Sequence, residues 1–121
     1  MTKHPDTGVM NVGVYRGMLT GKDKISALMY RAQNIGHHIT AWQAKGATEM
    51  PVAYVIGWEP SLDFCGGAPV PAGVCEYDVM GAIRGAPVEL VKCETVDILV
   101  PATAEIVIEG YLQFDPATYE M

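Results

Sequence analysis

The stretch Val9-Met10-Asn11-Val12-Gly13-Val14-Tyr15-Arg16-Gly17-Met18-Leu19 decides how the chain is read. Met10, Val12, Val14 and Met18 fall on alternate positions, and alternation that includes β-branched residues is the mark of a strand. The preceding His4-Pro5-Asp6-Thr7-Gly8 is turn chemistry: Pro presets φ, Asp favours an Asx-turn and Gly tolerates positive φ. On the other side, Thr20-Gly21-Lys22-Asp23 reads as a hairpin turn and Ile25 to Tyr30 as the returning strand. The chain therefore opens as β structure.

Working outward, Gly36 to Lys45 changes period. His38, Ala41, Trp42 and Lys45 recur at helical spacing, and Gly46 follows as a C-cap. Met50-Pro51 is expected to break the chain, and Val52 to Trp58 reads as a buried strand. After Glu59-Pro60-Ser61 a short helix is expected to run towards Cys65 and stop at Gly66-Gly67. Pro69-Val70-Pro71-Ala72-Gly73 reads as a rigid loop, and Glu76 to Arg84 as a helix ended by Gly85. Val88 to Cys93, Asp97 to Val100 and Ile106 to Tyr111 carry strand signals, with a break at Pro101-Ala102-Thr103. The sum is a mainly β, α+β fold: about five to seven strands with two or three short helices, as a small barrel or a closed antiparallel sheet.

Composition bounds what such a fold does. The 121 residues suit one domain spanning 1–121. With 8 Lys plus Arg against 14 Asp plus Glu, the net charge is −6, which argues against a nucleic-acid partner. No apolar run approaches the roughly 18 residues that would span a bilayer, so no membrane insertion is expected. Met1 to Gly8 carries no signal-peptide core, and Cys65, Cys75 and Cys93 match neither a disulfide framework nor a metal knuckle. A cytoplasmic chain with reduced, packed cysteines is the expectation. The apolar fraction of 50% with only 18% charged residues is high for so small a monomer. Another chain or domain is expected to cover part of that surface.

A few residues carry candidate chemistry. His37-His38 stands at the start of the expected helix, where the dipole lowers an imidazole pKa, so the pair reads either as a ligand and proton carrier or as a half-buried surface pair. Arg16, inside an apolar strand, needs an anionic partner, either a structural ion pair or a substrate carboxylate or phosphate. Asn11 faces the opposite side from Arg16 in a regular strand, and the two converge only across a bend, which Gly13 permits. Glu76 opens a helix after the Pro-rich loop, as an acidic helix start or as a functional carboxylate. Gly66-Gly67 alone is too short for a phosphate cradle, and Trp42, Trp58 and most Met residues fit core positions.

Four stretches go further. His4 to Arg16, Ala68-Pro69-Val70-Pro71-Ala72-Gly73-Val74-Cys75-Glu76, Pro87-Val88-Glu89-Leu90-Val91-Lys92-Cys93, and Val100-Pro101-Ala102-Thr103-Ala104-Glu105-Ile106-Val107-Ile108-Glu109-Gly110 resemble the central domain of the UbiD-like carboxy-lyases, in that family's order. The resemblance implies a split β-barrel related to flavin-reductase and FMN-binding barrels. It implies prenylated FMN as cofactor and reversible decarboxylation of aromatic or α,β-unsaturated acids. By the same resemblance Asn11, His38 and Glu76 bind a divalent metal, Mn²⁺ or Mg²⁺, which with a potassium ion bridges to the cofactor phosphate; His37 is the alternative ligand. Arg16 is implied as catalytic, orienting the substrate carboxylate. Gly13, Val14, Tyr15, His37, Gly66, Gly67, Ala68 and Pro69 are implied to line the cofactor. The family's two catalytic Glu residues fall in a segment expected after Met121, and its flanking domains outside the chain. The expectation is thus a part of a decarboxylase, inactive alone and completed by a homo-oligomer or a partner subunit, or else a non-catalytic accessory module with the same barrel.

Overall fold

The computed structural model describes residues 1–30 and 32–114. The stretch 115–121, which the sequence reading set before the family's Glu segment, lies outside the described residues, as does Arg31 of the helix entry.

β1 (Thr2–Lys3) pairs antiparallel with β2 (Met10–Asn11), Thr2 opposite Asn11. The expected turn between them forms around His4. Its N–H bonds the Val9 carbonyl at 2.9 Å, and its Nδ1 accepts the N–H groups of Asp6 and Thr7 at 3.2 and 3.3 Å. Gly8 supplies the positive φ, at 72°.

The expected continuous strand from Val9 to Leu19 is interrupted. Residues 12–16 leave the ladder, and pairing resumes in β3 (Gly17–Gly21), which forms a hairpin with β4 (Lys24–Ala27). In the interrupted stretch the end of the Tyr15 ring folds into the space that a Cβ at Gly13 would fill. The hairpin turns at Lys22-Asp23, as the sequence suggests.

α1 (Asn34–Ala44) begins two positions before the expected start, and Gly46, at φ 81°, stands just past its end. β5 (Glu49–Ile56) runs straight through Met50-Pro51, where a break was expected. Pro51 sits opposite Tyr111 in the ladder between β5 and β8 (Ile106–Gln113). The reason lies on the other edge of β5. Ala53 exchanges two backbone bonds with Met1, 3.1 Å through its N–H and 2.7 Å through its carbonyl. By antiparallel alternation Pro51 also faces the β1 side, so its missing N–H removes no bond to β8. The carbonyl it would have served, that of Lys3, accepts the Trp42 indole N–H at 3.0 Å instead. β2, β1, β5 and β8 are thereby neighbours in that order.

α2 (Pro60–Gly67) has Pro60 in its first turn, where the absent N–H costs nothing, and it takes in Gly66-Gly67 rather than stopping before them. α3 (Glu76–Arg84) matches the sequence reading. It has Glu76 and Asp78 in its first turn, Arg84 in its last, and Gly85 in the left-handed conformation beyond it. β6 (Leu90–Lys92) and β7 (Leu99–Pro101) pair with each other.

Met10, Val12, Ala53, Leu62, Cys65, Tyr77, Met80, Ile98 and Val100 belong to the buried core, which draws on β2, β5, α2, α3 and β7. All three cysteines are free; Cys65 and Cys93 are buried, as expected, and Cys75 is half-buried. Trp58 packs partly buried against this core, whereas Trp42 lies half-buried beside β1.

Among the described residues the backbone pairing gives four two-stranded antiparallel ladders and three short helices, and no ladder closes into a barrel. The expected closed sheet is thus not formed by hydrogen bonding. β6 and β7 are three residues each, and β5 ends at Gly57, whose φ of 81° turns the chain out of the sheet.

Candidate functional site

The side chains of Thr2, Asn11, His38 and Glu76 are polar and nearly inaccessible, at 1%, 4%, 6% and 3% exposure. They come from four elements, β1, β2, α1 and the first turn of α3. A polar group buried this deeply costs free energy unless it is bonded, and here each is.

Thr2 Oγ1 lies 2.9 Å from His38 Nδ1, and Asn11 Nδ2 donates to Thr2 Oγ1 at 3.5 Å. On the other side of the same peptide, the Val12 N–H donates to Glu76 Oε2 at 2.9 Å. The Asn34 amide donates to the Val70 carbonyl at 2.8 Å, which ties α1 to the Pro-rich loop. The cluster thus has two arms, Asn11–Thr2–His38 and Glu76–Val12, which meet at the Asn11-Val12 peptide.

Electrostatics follow from burial. Desolvation, then the neighbouring His4 and His37 imidazoles, hold the His38 pKa down to about 4, so its ring is neutral at pH 7. The His4 ring meets His38 edge-on, with centroids 5.5 Å apart. Because His4 Nδ1 accepts two backbone N–H groups, its own proton belongs on Nε2. Burial pushes the Glu76 carboxyl above the usual carboxylate range, against the bond from the Val12 N–H that favours its charge. Burial likewise raises the Tyr15 phenol.

The residues named from the sequence are distributed unevenly around this cluster. Asn11 and His38 are joined through Thr2, and Glu76 adjoins them through Val12. His37 is exposed, one step round the helix. Arg16 is also exposed, at the end of the irregular stretch 12–16, and does not sit inside an apolar strand. Residues 12–14 face the end of α2 closely: a Cβ on Gly66 would come within 3.3 Å of Val14 and 3.6 Å of Val12. On the β5 side of this stretch a cleft of about 170 Å³ is lined by Val12 to Tyr15, Ala53 to Val55, Leu62 and Asp63, and Gly66 to Pro69 do not line it. Gly67 and Pro69 are exposed beyond this contact and Ala68 is half-buried.

Three participants escaped the sequence reading: Thr2, Asn34 and His4. Thr2 belongs to a strand of two residues, too short to show a pattern. Asn34 stands at the first position of α1, and an Asn at a helix entry was the one signal that marked it.

Among the described residues no group of three or more His, Cys, Asp or Glu could hold a metal ion. The cluster offers one imidazole, one carboxylate and the amide oxygen of Asn11. A hard divalent cation accepts that mixture of oxygen and nitrogen donors, so the chemistry of the set fits such a cation. Among the described residues no helix is long and apolar enough to cross a membrane.

Comparison with known proteins gives this geometry its context. Residues 1–120 match the UbiD family, 3-octaprenyl-4-hydroxybenzoate carboxy-lyase Rift-related domain. The chain belongs to the UbiD family. An evolved dimeric form of the UbiD-class enzyme HmfF from Pelotomaculum thermopropionicum, solved in complex with prFMN, superposes on this UbiD-family chain with a TM-score of 0.84. It shares 38% identity over 91% of this chain and 25% of its own. The vanillic acid decarboxylase of Sedimentibacter hydroxybenzoicus, in its closed form, gives a TM-score of 0.83 and 30% identity over 91% of this chain and 24% of its own. Ferulic acid decarboxylase 1 of Saccharomyces cerevisiae is 41% identical over 109 residues, 89% of this chain and 22% of that protein. The UbiD-family chain described here spans about a quarter of the length of such relatives. It is homologous to UbiD-class decarboxylases, and its fold is theirs over that span.

Proposed function

We propose that residues 1–121 form the cofactor- and metal-holding domain of a prenylated-FMN-dependent decarboxylase or carboxylase acting on aromatic or α,β-unsaturated carboxylic acids. The observation that carries this reading is the buried cluster in which Asn11, His38 and Glu76 are drawn together through Thr2 and the Val12 N–H. Burying an imidazole, a carboxylate and an amide around one peptide costs desolvation, and a cluster of perturbed titratable groups of this kind supports a ligand-holding role.

In this reading Asn11, His38 and Glu76 hold Mn²⁺ or Mg²⁺, with a potassium ion nearby, against the cofactor phosphate. The neutral state of His38 suits it as a ligand, since a metal takes imidazole and not imidazolium. The turn Gly13–Tyr15 and the α2 end from Gly66 to Pro69 line the flavin in a split-barrel arrangement, with His37 at its margin. The cleft beside Gly13 to Tyr15, about 170 Å³, is smaller than the ~300 Å³ at which ligand pockets begin. Part of the wall is therefore supplied from outside these residues, by further domains or a partner subunit. When bound, prenylated FMN supplies the electron sink for loss of the carboxyl group. Arg16, exposed at the end of the 12–16 turn, binds and orients the substrate carboxylate through its planar fork of donors.

The test is His38→Ala in the intact protein with its partners, purified under conditions that preserve the flavin. Metal content by mass spectrometry and the absorbance of bound flavin are both expected to fall. Unchanged flavin absorbance and unchanged metal content would overturn the reading. A colourless, metal-free oligomer from the native source would instead support an accessory module with the same fold.

A further inference from the structure

We infer that Thr2 is a positioning residue for His38, and that Nε2 is the ring nitrogen His38 offers to a ligand. The inference rests on the metal-holding reading above and extends it to a residue to which that reading gives no role of its own. The geometry is specific. Thr2 Oγ1 lies 2.9 Å from Nδ1 of His38, and both groups are buried, so water does not compete for that nitrogen. The hydroxyl is itself fixed. Thr2 is opposite Asn11 in the β1–β2 ladder, and Asn11 Nδ2 donates to the same oxygen. A hydroxyl has one proton and two lone pairs. It donates to Nδ1 when the ring is metal-free, and accepts Nδ1–H when Nε2 is engaged. In either state Nδ1 stays on Thr2, and the ring plane is held.

The arrangement also couples two ligands. Asn11 and His38 share one hydroxyl, so a displacement of either is felt by the other. Partners of this kind, bonded to the far nitrogen of a ligating histidine, commonly set metal affinity by 10- to 100-fold when removed.

The experiment uses the intact protein with Thr2→Val, which keeps the shape and removes the hydroxyl, and Thr2→Ser, which keeps the hydroxyl. Two readouts are taken. Nitrogen NMR of labelled histidine in the metal-free protein reports the His38 tautomer. Electron paramagnetic resonance of added Mn²⁺ reports affinity. Thr2→Val is expected to change the tautomer ratio and weaken Mn²⁺ about 10- to 100-fold, and Thr2→Ser to keep both near the parent values. A tautomer ratio unchanged by Thr2→Val overturns the role of Thr2. Unchanged Mn²⁺ affinity in His38→Ala, with an altered tautomer ratio in Thr2→Val, overturns the metal reading while leaving Thr2 as the residue that positions His38. Circular dichroism of each variant separates these outcomes from loss of the fold.

Discussion

His38 ties the acid stability of the protein to its buried cluster. In the unfolded chain an imidazole takes a proton near pH 6.5, whereas in the fold His38 waits until about 4. Between those values the unfolded state binds a proton that the folded state refuses, so stability falls as pH drops from 6.5 towards 4. Glu76 has the opposite sign. Its carboxyl is raised above 4.5, so its contribution is full below that value and is lost as pH rises through the raised one. Urea midpoints of the metal-free protein are expected to decline over the His38 window, and His38→Gln to flatten the decline; an equal slope in the variant would exclude His38 as its source. At this scale it was the family resemblance, and not the residue pattern by itself, that set Asn11, His38 and Glu76 together; the structure joins Asn11 to His38 through Thr2 and brings Glu76 alongside through the Val12 N–H. Thr2 and Asn34 did not stand out, because an isolated Thr or Asn has many ordinary uses and only a folded neighbour shows which one applies. Arg16 was read as lying within an apolar strand, and the bend at Gly13 carries it to the surface instead.

At the scale of elements, the end of β5 depends on Gly57. Its φ is 81°, and a Cβ there would meet the Glu105 side chain at 2.7 Å, while the Glu105 N–H bonds the Gly57 carbonyl at 2.8 Å. Gly57→Ala therefore strains the backbone and crowds the entry to β8, at a cost of about 1–3 kcal/mol. Denaturant unfolding checks this, and a variant as stable as the parent would show that the turn relaxes freely. The elements whose signals are local were legible: α3, with acid at its start, Arg84 at its end and Gly85 beyond, has the predicted bounds Glu76–Arg84. Those settled by distant contacts were not. Pro51 stays inside a strand because Trp42, nine residues earlier, satisfies the carbonyl of Lys3. The gap between β2 and β3, where Tyr15 folds back over Gly13, has no such local signal.

For the whole molecule, the excess of apolar composition becomes a surface. Leu19 is 81% exposed and Phe64 71%, and Val14 and Tyr30 are more than half exposed. Leu19 and the β3–β4 hairpin form one such region, and Val14 with the α2 end forms another at the cleft. Monomers rarely leave so much large apolar surface in water. Sedimentation of this chain alone over a range of concentrations is expected to show self-association, together with binding of a hydrophobic dye. A monomer at every concentration that binds no dye would contradict the need for a covering partner. Composition made that surface legible, but not its location. The two indoles give a way to watch the molecule come apart. Trp42 is clasped to β1 through Lys3, whereas Trp58 bonds the Thr103 hydroxyl at 2.8 Å beneath the Arg84 guanidinium. They are two native fluorophores in different surroundings, one beside the strand that carries Thr2 and one at the C-terminal end of α3. Replacing either leaves a single-colour record of when its half of the protein lets go.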